Sequence, residues 1–212
     1  MDSPGCLAFF DALVDGRLRL GQTLTQGDLG GVLGLTLSRV REVTVLLEAE
    51  GLVESRKRVG LTIFYPDVHF VGNTFQFRGI LEREGLRKFA ETVSDGWLER
   101  MYAEHDRIIG FVRQNPVPKV YALPVKEVER AFHDSFVRSL NNDRIDMNHR
   151  RNSQMMYLLR LLNPEAVGPT STVRSMNEHV DVLRALEQRD GEAAVEALDR
   201  HLKGVLHRIL TH

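Results

Sequence analysis

Residues 24–53 read LTQGDLGGVLGLTLSRVREVTVLLEAEGLV, and this stretch decides the fold of the N-terminal third. Thr25 can cap a short helix that runs to about Leu33, with Leu29, Val32 and Leu33 on one face. Gly34 stops that helix, and Thr36 caps another that runs to about Glu50. Val40, Val43, Leu46 and Leu47 recur along it at helical spacing, and Gly51 closes it. Two helices joined by a tight glycine turn are what placing one helix in the DNA major groove requires, the other lying across the backbone. The N-terminal part of the second helix carries Thr36, Ser38, Arg39 and Arg41. Hydroxyls and helix N-terminal amides suit phosphate oxygens, and arginine forks suit guanine edges or phosphates.

On the C-terminal side of this stretch come two runs of strand character, 52–55 and 61–65, rich in Val, Ile, Thr, Phe and Tyr. They flank a basic tip, Arg56-Lys57-Arg58-Val59-Gly60, which can lie along a neighbouring DNA backbone or minor groove. On the N-terminal side, residues 5–15 read as a helix ended by Gly16, and 16–21 as a turn-rich connector. The whole is a winged helix-turn-helix over residues 1–66, followed by a linker over 67–73.

From residue 74 to 212 the periodicity is helical throughout, in blocks 74–92, 95–114, 124–141, 143–162, 170–188 and 191–211. Short breaks between them imply an antiparallel bundle, so the chain as a whole is mainly α. The formal net charge of −1 argues against a protein that coats nucleic acid indiscriminately, but not against a specific binder whose cations cluster. No apolar run reaches the length of a membrane span. The opening MDSPGCLAFFDALVDG lacks a basic region and is interrupted by Asp11, so no secretory signal is expected. The single cysteine, Cys6, allows no intrachain disulfide and is read as a buried or half-buried thiol on the first helix, which fits a reducing cytoplasm.

Three bundle helices carry polar groups on or beside their apolar stripes. Glu129 and His133 lie at i and i+4 beside the stripe Val125, Val128, Phe132, Phe136 and Leu140. His179 falls within Met176, Val180, Leu183 and Leu186, and His201 beside Ala194, Leu198, Leu202 and Val205. Such groups are costly to bury unless something binds them, and a divalent transition metal does so. Zinc comes first on this donor set, with nickel, manganese and iron as alternatives. Satisfied core histidines are the other reading. His149, His207 and His212 stand apart from this pattern and read as surface residues.

The segment 24–53 resembles the winged helix of the GntR family of bacterial regulators. Leu29, Leu33, Gly34, Val40, Arg41, Glu42, Leu46, Glu50, Gly51, Leu52 and Val53 carry the match. Where the family shows Ser-Arg-Thr-Pro, this chain has Thr36-Leu37-Ser38-Arg39, so a usual DNA-contacting arginine is Leu37 and an arginine appears two positions later. Residues 74–211 resemble the FCD ligand-binding domain of the FadR subfamily. The matching motifs are Arg78-Gly-Ile-Leu-Glu82, Glu129-Arg-Ala-Phe-His133, the run from Glu178-His179 to Asp190, and His201. The resemblance implies a metal site of Glu129, His133, His179 and His201, with Glu129 in place of the family's aspartate. It also implies a cavity for a small organic acid whose carboxylate Arg78 can pair with. The alternative for Arg78 is a surface arginine bonded to Glu82. Arg151, Asn152 and Tyr157 lie on a helix that can face the same cavity.

These features make the expected protein a homodimeric transcription regulator, not an enzyme, reading a pseudo-palindromic double-stranded operator under control of the acid. Two other readings use the same residues. A metal enzyme would need a separate general base, and none is evident. A pure metal sensor would take the ion itself as its signal.

Overall fold

The computed structural model describes residues 3–160 and 162–211, which form two compact units dividing between Asp67 and Val68. His212, expected at the surface, lies outside the described residues.

The first unit has helices α1 (Pro4–Val14), α2 (Gln26–Leu33) and α3 (Leu37–Ala49), and strands β1 (Thr23–Leu24), β2 (Val53–Arg56) and β3 (Gly60–Ile63). Thr25 caps α2 in a reciprocal capping box with Asp28, and Gly34 ends it in the left-handed conformation at φ 65°. α3 buries Val40, Val43, Thr44 and Leu47 and turns its other face outward. Phe9, Leu18, Leu29, Leu52 and Ile63 complete the core of this unit, and Cys6 is buried in it as expected. The sheet is three-stranded, in the order β1-β3-β2, where sequence reading foresaw a two-stranded hairpin. β1 has only two residues, too few for period-2 alternation to reveal, and it pairs Thr23 with Thr62 and Leu24 with Leu61. The β2–β3 turn is Lys57-Arg58-Val59, with Arg58 at φ 68°. Gly60 follows at φ 117°, and a Cβ there would stand 2.7 Å from the carbonyl oxygen of Leu24, so only glycine lets β3 start against β1.

The second unit is all-helical among the described residues: α4 (Val68–Thr92), α5 (Asp95–Gln114), α6 (Pro118–Arg138), α7 (Asp143–Leu159), α8 (Pro169–Glu187) and α9 (Gly191–Leu210). A short 3-10 turn, Pro164–Val167, precedes α8. Two expected boundaries move. Of the linker foreseen at 67–73, residues 68–73 are instead the start of α4, whose first turns bury Val71 against Met156, Leu159 and Ile209. α6 begins at Pro118 rather than Pro124. Pro118 sits at the N1/N2 position, where a missing N–H costs nothing, and Pro124 is carried inside the helix with half-exposed Val120 four residues back.

α8 packs on α9 and α5, while α4 packs on α9 and α6. The α4–α6 approach is close. A Cβ on Gly85 would lie 2.3 Å from the carbonyl oxygen of Phe136, so the two backbones can meet only at a glycine. Ser139 Oγ bonds the Gly85 carbonyl at 2.7 Å and fixes the contact. That contact sets α4 beside α6 one turn from Glu82 and His133. The main core, including Leu86, Phe132, Phe136, Leu183 and Leu198, fills the bundle around the same level.

Candidate metal centre and DNA-reading face

Three of the four expected metal ligands come together. His133 of α6, His179 of α8 and His201 of α9 are buried, and each offers one nitrogen within 4.8 Å of the others. His179 Nε2 lies 3.3 Å from His133 Nε2 and 3.2 Å from His201 Nε2. The Phe132 ring stacks on His179 at 4.3 Å between centroids and 16° between planes, and holds the imidazole in place.

Their other nitrogens are all engaged, and the partners fix the tautomers. His133 Nδ1 faces Glu82 Oε2 at 2.9 Å, and His201 Nδ1 faces Glu178 Oε2 at 2.9 Å. An ionised carboxylate only accepts, so both rings carry their proton on Nδ1. Burial alone would raise the Glu178 carboxyl, but hydrogen bonds from Arg208 and His201 outweigh it and hold it down at about 2. Burial opposes ionisation of Glu82 as well, and Arg78 and His133 outweigh it, so its carboxyl sits well below the ordinary range. His179 Nδ1 lies 3.0 Å from His105 Nε2, and His105 Nδ1 lies 2.7 Å from the Met101 carbonyl. The carbonyl only accepts, so His105 donates from Nδ1 and accepts at Nε2 from His179. Burial pushes the His105 pKa down, which keeps that ring neutral and able to accept. Burial, helped by Arg78 and His201, pushes His133 down to about 4 against the pull of Glu82. Burial and the other imidazoles push His179 well below its ordinary value.

Neutral rings protonated at Nδ1 leave Nε2 bare. Three bare lone pairs aimed at one another from separations of 3.2 and 3.3 Å repel unless a cation lies among them. Two nitrogens each bonded to a tetrahedral zinc at 2.0–2.1 Å stand roughly 3.3 Å apart, the same spacing. The donor set and its carboxylate and imidazole supports therefore fit a divalent transition metal.

Glu129, the fourth expected ligand, is not in this group. Its carboxylate is paired with Arg160, which lies just past the end of α7. Burial would raise Glu129, and Arg160, with His133 and Arg78, brings it down to about 2. The pair with Arg160 engages the carboxylate away from the three histidines.

Sequence reading left out several members of the site. His105 is one, although Leu98, Met101, His105, Ile108 and Val112 form an apolar stripe that marks it as inward-facing. Glu178, directly before His179, is another. His149 was expected at the surface and is instead 1% exposed, with Nε2 3.0 Å from Glu82 Oε1. Its flanks, Asn148 and Arg150, are polar, so hydropathy gave no sign that this face of α7 meets a buried carboxylate. His207 is exposed as expected.

Arg78 is buried rather than superficial, at 8% exposure, and donates from Nε to Glu82 Oε1 at 2.7 Å. Among the described residues its two Nη groups have no hydrogen-bond partner. Asn152 donates to the Thr74 carbonyl of α4 at 3.2 Å, and Lys126 Nζ of α6 stands 4.4 Å over the Tyr157 ring. Arg151 is exposed.

In the first unit, the outward face of α3 presents Leu37, Ser38, Arg39 and Arg41. Thr36 occupies the N-cap but makes no side-chain capping bond, leaving its hydroxyl available. Arg39 is paired with Glu42 at 2.8 Å and Arg56 with Glu54 at 2.9 Å, both in water, where such pairs are weak and exchange readily for phosphate. Among the described residues Arg41, Lys57 and Arg58 have no ion-pair partner. Arg56, Lys57, Arg58 and Gly60 line an open groove together with Thr25 and with Gln26 at the start of α2.

Residues 10–63 match the bacterial regulatory proteins of the gntR family, and residues 73–204 match the FCD domain. The chain belongs to the GntR family. Its FCD architecture is consistent with the FadR subfamily, and its relatives are DNA-binding transcription regulators rather than enzymes. Among solved structures, this GntR chain is similar to a GntR protein of Rhodococcus sp. RHA1 described as a transcriptional regulator. That likeness has a TM-score of 0.72 at 21% identity, covering 98% of this chain and 97% of the other. E. coli McbR/YncC is similar at a TM-score of 0.72 and 16% identity, over 96% and 95% of the two chains. A metal-free FCD domain of TM0439 is similar at a TM-score of 0.56 and 22% identity, over 69% of this chain and 95% of that one. At these identities the likeness is one of fold. No curated protein matches the chain. Among the described residues no helix is long and apolar enough to cross a membrane.

Proposed function

We propose that this GntR regulator binds a pseudo-palindromic operator as a cytoplasmic homodimer, and that its FCD bundle holds one divalent transition metal, zinc first, on His133, His179 and His201. The observation that carries the metal assignment is the convergence of three Nε2 atoms whose Nδ1 partners are all in place. Glu129, one turn before His133, is the candidate fourth ligand, and reaching the ion means exchanging its pair with Arg160. The ion supplies a Lewis-acidic point that attracts a carboxylate. The Arg78 guanidinium, anchored through Nε to Glu82, keeps its Nη groups for the same carboxylate, which favours a small organic acid as effector. Arg151, Asn152 and Tyr157 are the candidates for the rest of that ligand's surroundings.

On the DNA side, Thr36, Ser38, Arg39 and Arg41 enter the major groove, while Arg56, Lys57, Arg58 and Gly60 follow the backbone. Selection of sequences from a random double-stranded library by the purified full chain tests this reading. The expected result is a two-fold consensus bound with strong salt dependence, and binding that changes when metal and small carboxylic acids are added. Recovery of no consensus contradicts it.

A further inference from the structure

We infer that Leu37 reads the 5-methyl group of a thymine in the major groove, beside the base contacted by Arg41. The inference rests on the DNA-binding role proposed above and adds a base to it. Leu37 is the first residue of α3 and is 54% exposed, so the core of the first unit does not require it. It shares the outward face with Arg41, four residues on, so the two side chains lie side by side. Its charged neighbours differ in what they have free. Arg39 shares its guanidinium with Glu42 in an exposed pair, whereas Arg41 has no ion-pair partner among the described residues. The tip of this helix therefore presents one apolar branched side chain and one free guanidinium, with the hydroxyls of Thr36 and Ser38 at its edge.

Recognition helices reach base edges with their N-terminal residues. A leucine side chain has no donor or acceptor to offer there. On the major-groove edges of the four bases the one methyl group belongs to thymine, and it projects furthest toward an apolar side chain; the donors and acceptors of the other edges are groups that leucine would desolvate without compensation. Leu37 thus selects thymine by contact with its methyl group and leaves the polar edge groups of the other bases unpaired, while Arg41 beside it takes the neighbouring guanine edge.

The test uses the full chain and the consensus duplex obtained by selection from unmodified DNA. Each thymine is replaced in turn by uracil, which removes only the methyl group. The expected result is one thymine per half-site whose replacement weakens binding about fourfold, and about 15-fold when both half-sites are changed. Leu37→Ala should bind the thymine and uracil duplexes equally. Leu37→Arg, put through the same selection, should exchange thymine for guanine at that position. If no uracil replacement weakens binding, or if Leu37→Ala still discriminates, or if Leu37→Arg keeps the parent consensus, the inference is overturned while the regulator reading stands. If the parent chain selects no consensus, the regulator reading fails and takes this one with it.

Discussion

Replacing Glu82 by glutamine keeps the shape of the side chain and removes its charge at the point where α4 meets His133 of α6 and His149 of α7. Glu82 is fully buried and accepts from Arg78 Nε at 2.7 Å, His149 Nε2 at 3.0 Å and His133 Nδ1 at 2.9 Å. Glutamine has one oxygen and one NH2 for these three donors. If the oxygen stays with Arg78 and His149, the NH2 faces His133 and moves the imidazole proton to Nε2, the atom that faces His179. If the oxygen faces His133 instead, the NH2 opposes the Arg78 N–H in a buried donor–donor contact. The first arrangement blocks a metal ligand and the second leaves a guanidinium uncompensated. Breaking a buried ion pair by removing one partner costs about 3–5 kcal/mol, which lowers the melting temperature of a chain this size by roughly 6–20 °C. Loss of a partner that orients a metal ligand lowers affinity about 10–100-fold. Calorimetry of the metal-free protein reads the first effect, and zinc competition against a chromophoric chelator reads the second. A Glu82→Gln protein that melts and binds zinc like the parent would refute the tautomer assignment on which the centre is built.

Other consequences follow from single contacts. Gly85→Ala places a methyl 2.3 Å from the Phe136 carbonyl and should destabilise the bundle by about 1–3 kcal/mol in denaturant titration, while Gly72→Ala, with nothing within 4 Å, should stabilise it by up to about 1 kcal/mol. Equal effects at the two glycines would contradict the close α4–α6 approach. His105→Leu removes the acceptor for His179 Nδ1–H and should weaken zinc binding about tenfold or more in the chelator assay, with helical circular dichroism retained. Arg41→Ala should cost about 1–3 kcal/mol of operator affinity in gel shifts if it contacts a base edge. Lys57→Ala or Arg58→Ala should instead weaken all sequences alike and reduce the salt slope by about one per half-site.

Much of this protein is legible in its sequence because its local signals agree with its packing. Thr25 with Asp28, Gly34, and the alternation of buried and exposed positions along α3 each name their element without help from the rest of the fold. The inward histidines are legible for the same reason: His133, His179 and His201 stand on or beside apolar stripes, where an imidazole needs explaining. What stayed hidden depends on partners distant in sequence. β1 exists because β3 lies beside it, and two residues carry no pattern of their own. Pro124 ends no helix, since the turn before it is already set from Pro118. His149 gave no apolar signal, because the surface it meets is the charged group of Glu82 rather than a hydrocarbon face. Glu129 kept its place in the sequence motif but not in the cluster, since Arg160, well separated along the chain, competes for its carboxylate.

The central claim is that three imidazoles are arranged to hold an ion. Its most direct test is the metal content of the full chain after incubation with zinc and desalting, compared with that of His179→Ala, whose parent ring lies between the other two. One zinc per chain in the parent and close to none in the variant is the predicted result. Equal zinc in both, or none in the parent, would contradict it.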